Sequence, residues 1–177
     1  MTLHRILHHR QTMRLKGYDY SIPGAYFVTI VADNRLCLFG QIINGAGLEP
    51  APTDQLILSP FGKIVFSTWN NLVNHNRGIE LGAYIVMPNH IHGIINITEM
   101  DMNVGAGSKP ASELPEIIRQ FKTFSARRIN ELRGTTGTPV WQRNYYDHII
   151  RNSNELALVT DYILDNPRQW GEDPENR

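Results

Sequence analysis

The sequence predicts an α+β domain of the ferredoxin-like type, with a mostly antiparallel sheet and helices packed on one face. Apolar, β-branched segments bounded by short turns are typical of antiparallel strands. Other stretches carry apolar residues at helical spacing. The predicted order is strands, helix, two strands, helix, helix. The simplest arrangement for this order is a layer of helices packed on a sheet.

The first predicted element is a β-hairpin. Residues 24–31 are rich in aromatic and β-branched side chains, which favours a strand. Asp33-Asn34 supplies a turn, and residues 36–39 are predicted to return as the second strand. The glycine- and proline-rich stretch 44–52 is predicted to be a loop.

A short edge strand over residues 55–58 and a helix are predicted next. Ser59 is a suitable N-cap and Pro60 suits the first helical turn. Apolar residues then recur at helical spacing as far as Val73. This pattern predicts a helix that covers one face of the sheet.

Two strands and a long helix are predicted in the middle of the chain. Residues 81–87 and 90–97 are apolar runs joined by a Pro-Asn turn, so the second strand lies beside the first. Residues 99–112 have little apolar content and are predicted to form a surface loop. A helical apolar stripe begins at Leu114 and ends near Gly134.

The last predicted helix begins after Ser153 or Asn154, either of which can act as the N-cap. It runs to Leu164 or Asn166 and is stopped by Pro167, because the residue before a proline disfavours helical geometry.

Composition indicates one cytoplasmic domain. The 177 residues are 41% hydrophobic and 19% charged, enough for one core but too few for two comfortable domains. No apolar run approaches membrane-spanning length, and the first ten residues lack the apolar centre of a secretory signal. Cys37 is the only cysteine, so neither an internal disulfide nor a thiolate zinc cluster can form.

Charge is distributed unevenly although the formal net charge is zero. We expect a basic extension at 1–19, a single domain at 20–170 and an acidic tail at 171–177. Two basic surfaces suit a polyanion such as DNA, although solvated helix faces would explain either surface alone. The candidate phosphate-binding residues are Arg14, Lys16, Arg119, Lys122, Arg127, Arg128, Arg143 and Arg151.

The segment Met87-Pro88-Asn89-His90-Ile91-His92-Gly93 is the most informative motif. In a strand, His90 and His92 leave the same face because side chains alternate. Two neutral imidazoles on one face make half of a divalent-metal site. The alternative is that both histidines are ordinary core or rim residues.

A phenol and an amide lie on one face of the last predicted helix. Tyr162 and Asn166 are four residues apart, about one turn. Taken alone, Tyr162 would be read as a packing residue and Asn166 as a helix cap.

Together these blocks resemble the HUH single-tyrosine transposases, which are IS200-like, and among them the REP-associated tyrosine transposases. The resemblance runs from about residue 20 to 170. It rests on the ordered blocks Gly24-Ala25-Tyr26-Phe27-Val28-Thr29, Val86-Met87-Pro88-Asn89-His90-Ile91-His92-Gly93, Ile118-Arg119-Gln120-Phe121-Lys122, Trp141-Gln142-Arg143-Asn144-Tyr145-Tyr146-Asp147-His148-Ile149-Ile150-Arg151 and Asp161-Tyr162-Ile163-Leu164-Asp165-Asn166-Pro167.

The resemblance implies an HUH endonuclease fold, with His90 and His92 as metal ligands, Tyr162 as nucleophile and Asn166 as third ligand. Some relatives have Gln at the last position. The implied ion is Mg²⁺ or Mn²⁺, in keeping with an oxygen-containing, partly open site. The implied reaction is nicking and strand transfer on single-stranded or REP-like hairpin DNA through a 5′-phosphotyrosine.

Alternatives remain open from the residues. Tyr145 or Tyr146 could serve as nucleophile, although packing or base stacking suits them better, and His148 could approach the metal. A non-catalytic module that binds single-stranded nucleic acid and a metal-dependent phosphodiesterase that uses water are the competing functions. Monomer and homodimer are both compatible with the resemblance.

Overall fold

The structure, a computed structural model, describes residues 18–43, 55–98 and 113–176. Within these residues the strands are β1 (Gly24–Val31), β2 (Gly40–Ile43), β3 (Gln55–Leu58), β4 (Ile79–Val86), β5 (His90–Ile97) and β6 (Tyr146–Ile150). The α-helices are α1 (Pro60–Asn70), α2 (Leu72–His75), α3 (Leu114–Arg133) and α4 (Ser153–Asp165), and 3-10 helices span Asp33–Arg35 and Asn166–Glu172. No helix among these residues is both long and apolar enough to cross a membrane.

The central sheet has the strand order β4-β5-β1-β6, and all its neighbouring pairs are antiparallel. This confirms the predicted α+β class with an antiparallel sheet. Strand β1 occupies an interior position because both its edges are paired, one with β5 and the other with β6. Strands β2 and β3 pair with each other in a separate small sheet.

The predicted hairpin between residues 24–31 and 36–39 is wrong. The turn at Asp33–Arg35 is a 3-10 helix, and the chain leaves the sheet there instead of folding back. Asn34 and Arg35 both have positive φ, 50° and 56°. The next strand, β2, pairs with β3 instead of β1, whose edges are occupied.

Most other elements match the predictions. Ser59 caps α1, accepting a hydrogen bond from the Gly62 N–H. Helix α3 ends at Arg133 and is capped by Gly134, whose φ of 67° suits glycine best. Helix α4 is capped by Asn152 instead of Ser153 or Asn154, and ends at Asp165 before the 3-10 turn. Strand β6 was not predicted. The predicted loops 44–52 and 99–112 lie outside the described residues.

Apolar side chains cover both faces of the sheet. On one face, α1 and α3 pack on the sheet, with Trp69 and Phe121 at the centre of the larger core. On the other face, Val159 and Ile163 of α4 pack on Phe27 and Ile94. The helices therefore divide between two faces, whereas the sequence placed them on one. The second face has fewer apolar positions because β5 puts histidines there.

Candidate active site

The two histidines lie side by side on the α4 face of the sheet. Alternation along β5 sends Ile91 and Ile95 into the larger core and His90, His92 and Ile94 to the other face. The His90 and His92 ring centroids are 4.4 Å apart. Their exposed fractions are 0% and 3%, so both imidazoles are held inside the protein. The predicted shared face is therefore present.

A hydrogen bond to Nδ1 orients each imidazole. His90 Nδ1 is 2.8 Å from Asn89 Oδ1, and because an amide oxygen only accepts, Nδ1 donates and Nε2 keeps its lone pair. His92 Nδ1 is 2.8 Å from the Thr29 hydroxyl, which stands opposite it in the β1–β5 register. Partners of this kind commonly fix metal-binding histidines.

His90 is a neutral base in this environment. Burial, assisted by the nearby Arg35 charge, lowers the pKa of His90 to about 4, although Asp173 and Asn166 act in the opposite direction. An imidazole with this pKa has an available lone pair at neutral pH. This is the form of histidine that a metal ion binds.

Helix α4 brings Tyr162 to the histidines. The buried Val159 and Ile163 fix the helix on the sheet. The Tyr162 hydroxyl is 3.5 Å from His92 Nε2, and the two ring centroids are 5.4 Å apart. Burial raises the pKa of Tyr162, and the Asp173 and Glu175 carboxylates raise it further. The phenol therefore holds its proton at neutral pH.

Three buried polar atoms at this site make no hydrogen bond within the described structure. They are His90 Nε2, Asn166 Oδ1 and Asp173 Oδ2. Buried polar atoms without partners are costly, and a cation compensates an imidazole nitrogen, an amide oxygen and a carboxylate oxygen together. The residues at the site therefore fit the divalent ion that the resemblance implies.

Asp173 was assigned to the predicted acidic tail and not to the site. Its carboxylate is buried, and one oxygen lies 3.9 Å from His90 Nε2. One ligand atom from each of His90, His92 and Asp173 lies within 4.8 Å of the others. No local pattern in the sequence marks Asp173, because the chain reaches the site through a 3-10 helix after α4. Thr29 and Asn89 were also missed as orienting residues, although Asn89 directly precedes His90.

The alternative site residues have other neighbours. Tyr146 packs against Phe27 at 6.3 Å between ring centroids, and burial raises its pKa. The ring of Tyr145 lies under the Lys122 ammonium at 5.6 Å. His148 Nε2 is 2.7 Å from Glu155 Oε1 at the start of α4.

The basic residues of α3 lie on the opposite side of the sheet from the histidines. Arg119 pairs with Glu116, Arg127 with Glu131, and Arg128 donates to two hydroxyls of α1. Lys122 donates to three consecutive backbone carbonyls at residues 142–144. Arg143 and Arg151, at the two ends of the β6 segment, are exposed. Arg14 and Lys16 lie outside the described residues.

Comparison with known proteins places the chain among transposases. Residues 65–166 match the family model described as Transposase IS200 like. An uncharacterized protein of Haemophilus influenzae is 37% identical, over 94% of this chain and 93% of that protein. A second H. influenzae protein, named "Putative REP-associated tyrosine transposase", is 30% identical over 86% of this chain and 75% of its own length.

A REP-associated tyrosine transposase of Escherichia coli is 30% identical over 56% of this chain and 50% of that protein. A solved structure of a REP-associated tyrosine transposase bound to a REP hairpin shares the fold, with a TM-score of 0.52 and 22% identity. The match covers 87% of this chain and 72% of the solved one. The chain belongs to the IS200-like transposase family and is a relative of the REP-associated tyrosine transposases.

Proposed function

We propose that the protein is an enzyme that nicks single-stranded or REP-like hairpin DNA and transfers the cut strand through a 5′-phosphotyrosine at Tyr162. The observation that carries the proposal is the 3.5 Å distance between the Tyr162 hydroxyl and His92 Nε2. At the same site lie the buried, unpartnered His90 Nε2 and Asn166 Oδ1. A phenol beside a candidate metal site suits nucleophilic attack on a phosphodiester.

His90, His92 and Asn166 would hold the divalent cation, Mg²⁺ or Mn²⁺. Bound there, the ion would supply a Lewis acid for a phosphate oxygen and disperse the charge that develops during attack. Thr29 and Asn89 keep the Nε2 atoms turned toward this position by their hydrogen bonds to Nδ1. All these groups belong to one chain, so the proposed site needs no residue from a second copy.

The proposed reaction exchanges one phosphate ester for another. Tyr162 Oη forms a bond to phosphorus as the bond from phosphorus to the 3′ oxygen breaks. The phenol loses its proton and the departing 3′ oxygen gains one, so that charge is balanced. The products are a 5′-phosphotyrosine and a free 3′-hydroxyl. Because Tyr162 retains the phosphodiester, another 3′-hydroxyl can take it over without an external energy source.

DNA as the substrate is supported by the names of the relatives and by the REP hairpin in the solved fold neighbour. Among the predicted phosphate contacts, exposed Arg143 and Arg151 flank β6, the strand next to β1. We propose these two as the contacts nearest the cut strand. The basic residues of α3 would meet only DNA that extends round to the other face.

The test uses end-labelled single-stranded and hairpin oligonucleotides with Mn²⁺, followed by denaturing gels. We expect a covalent protein–DNA band with the wild type and none with Tyr162→Phe, while DNA binding survives. Tyr146→Phe is the matched control, because it removes a neighbouring phenol and should leave the band. A Tyr162→Phe variant that still forms the band would refute the assignment of the nucleophile.

The same gel separates the competing functions. A binding module would leave the oligonucleotide uncut and would bind it equally well with a chelator. A phosphodiesterase that uses water would produce cut DNA throughout the time course, and the covalent protein–DNA band would be absent at every time point.

A further inference from the structure

We propose that Asp173 is a fourth ligand to the divalent cation, delivered by residues 173–175, which fold back onto the histidines. This inference rests on the cation site of the proposed function, and adds to it a carboxylate from the C-terminal side of α4. The addition changes the donor set from two imidazoles and an amide to one that also carries a negative charge. Carboxylate ligands favour hard ions such as Mn²⁺ and Mg²⁺.

The two oxygens of Asp173 have different surroundings. Oδ1 accepts a hydrogen bond of 2.6 Å from the Glu175 N–H, which fixes the carboxylate plane. Oδ2 is buried, makes no hydrogen bond in the described structure and lies 3.9 Å from His90 Nε2. That distance is too long for a hydrogen bond, but two ligands on one small cation can be about 4.2 Å apart. The free oxygen is therefore placed as a ligand would be.

A buried carboxylate oxygen needs compensation that the protein does not itself provide here. His90 Nε2 lies 3.9 Å from Asp173 Oδ2, beyond hydrogen-bond distance, so the imidazole does not compensate this oxygen. A buried charge without a partner destabilises the folded protein. A cation bound between Asp173 Oδ2 and the imidazoles would remove this cost.

Residues 173–175 are attached to the motif that carries the histidines. The Asn89 side chain accepts from His90 Nδ1 through its oxygen, and donates from Nδ2 to the Glu175 carbonyl at 2.7 Å. One amide thus connects the orientation of His90 with the position of Asp173. Sequence separation between these residues is large, so the link is tertiary and specific to this fold.

Arg35 provides the second attachment. Its guanidinium donates to the Pro174 carbonyl at 3.0 Å and pairs with the Glu175 carboxylate at 2.7 Å. Arg35 has a φ of 56°, a region that non-glycine residues rarely occupy and that surrounding contacts must maintain. Arg35 and Asn89 are therefore positioning residues for Asp173.

The direct test is calorimetric titration of Mn²⁺ into the full chain. We expect Asp173→Asn to weaken Mn²⁺ binding by about tenfold or more, in the range seen when a metal site loses a supporting group. Asparagine keeps an oxygen that can accept from the Glu175 N–H, so the local turn should persist. Glu172→Gln is the matched control: it removes one exposed carboxylate next to Asp173, and should bind within twofold of wild type.

A second variant tests the attachment. Arg35→Gln should weaken Mn²⁺ binding by a smaller factor than Asp173→Asn does. Arg35→Lys should bind Mn²⁺ more tightly than Arg35→Gln, because the lysine ammonium can again pair with the Glu175 carboxylate. The electron paramagnetic resonance spectrum of bound Mn²⁺ should differ between wild type and Asp173→Asn, since ligand loss changes the symmetry at the ion. A merely structural role for Asp173 would leave that spectrum unchanged.

The outcomes separate this inference from the proposed function. If wild type binds no Mn²⁺, or if His90→Ala and His92→Ala bind as well as wild type, the cation site itself is refuted. If those variants lose binding while Asp173→Asn matches wild type in affinity and spectrum, only the role of Asp173 is refuted. Faster DNA cleavage by Asp173→Asn at unchanged affinity would instead identify the carboxylate as a competitor of the phosphate.

Discussion

Gly93, directly after the second histidine, has no room for a side chain. A Cβ placed on it would lie 2.3 Å from Trp69 Cζ2 and 2.9 Å from Cη2. The indole is fully buried and is itself held by Phe121, at 5.3 Å between ring centroids. Neither the ring nor the central strand can yield easily, so Gly93→Ala must displace one of them.

The expected cost is at the upper end of the range for overpacking, about 3 kcal/mol in free energy of unfolding. With a urea m-value of about 2 kcal/mol/M, the midpoint of unfolding should fall by roughly 1.5 M at unchanged m. The measurement is urea unfolding followed by far-ultraviolet circular dichroism. Gly171→Ala is the control, because nothing lies within 4 Å of a Cβ there and its midpoint should stay near wild type.

A double-mutant cycle identifies the contact. Trp69→Leu removes the ring atoms that the new Cβ would meet, at the cost of a cavity. In that background Gly93→Ala should cost at least about 1 kcal/mol less than in wild type, since residues in contact are not additive. A Gly93→Ala protein with the wild-type midpoint, or a strictly additive cycle, would refute the steric argument.

Three further changes have defined outcomes. Thr29→Val removes the hydroxyl that orients His92, so Mn²⁺ affinity measured by calorimetry should fall about tenfold; an unchanged affinity would contradict the orienting role. Ser125→Ala leaves the buried Trp141 indole N–H without its acceptor, and urea unfolding should show a loss of about 1–3 kcal/mol. Burial raises the pKa of Glu155, but hydrogen bonds from the Arg151 N–H and His148 bring it below the usual value. The resulting stabilisation exists above pH 4.5 and is lost as the pH falls, so the deficit of Glu155→Gln should shrink in acid unfolding curves.

The central strands and the histidine pair were predictable because their signals are local. The apolar run at residues 90–97 indicates the strand, and alternation along a strand then puts His90 and His92 on the same face. Helix α3 was equally clear from its apolar stripe and the glycine at its end. The prediction that Tyr162 shares a site with these histidines came from the family resemblance. The 3.5 Å distance between the Tyr162 hydroxyl and His92 Nε2 depends on the tertiary fold, so it could not be predicted from the spacing of residues in the sequence.

The wrong and missing predictions have a common physical origin, because each depends on contacts between residues that are far apart in the sequence. Strand β6 contains Asp147 and His148, so it lacks the apolar run that marks a buried strand, and it is held by pairing with the edge of β1 that β5 does not occupy. The wrong hairpin assumed that strands close in sequence pair, whereas β1 is taken by β5 and β6. Asp173 was missed because its role depends on a chain reversal after α4.

The Lys122 ammonium, on α3, holds the backbone of residues 142–144, which precede β6. The ammonium donates hydrogen bonds to the three backbone carbonyl oxygens of residues 142–144, at 2.9 to 3.3 Å, as an ammonium ion donates to the oxygens of a crown ether. A planar guanidinium cannot satisfy three converging oxygens in this way, so arginine would be a poor substitute. Acylation of the amine would leave the oxygens facing one another without a counter-charge. The stretch leading into β6 thus depends on a protonated amine that belongs to another element of the fold.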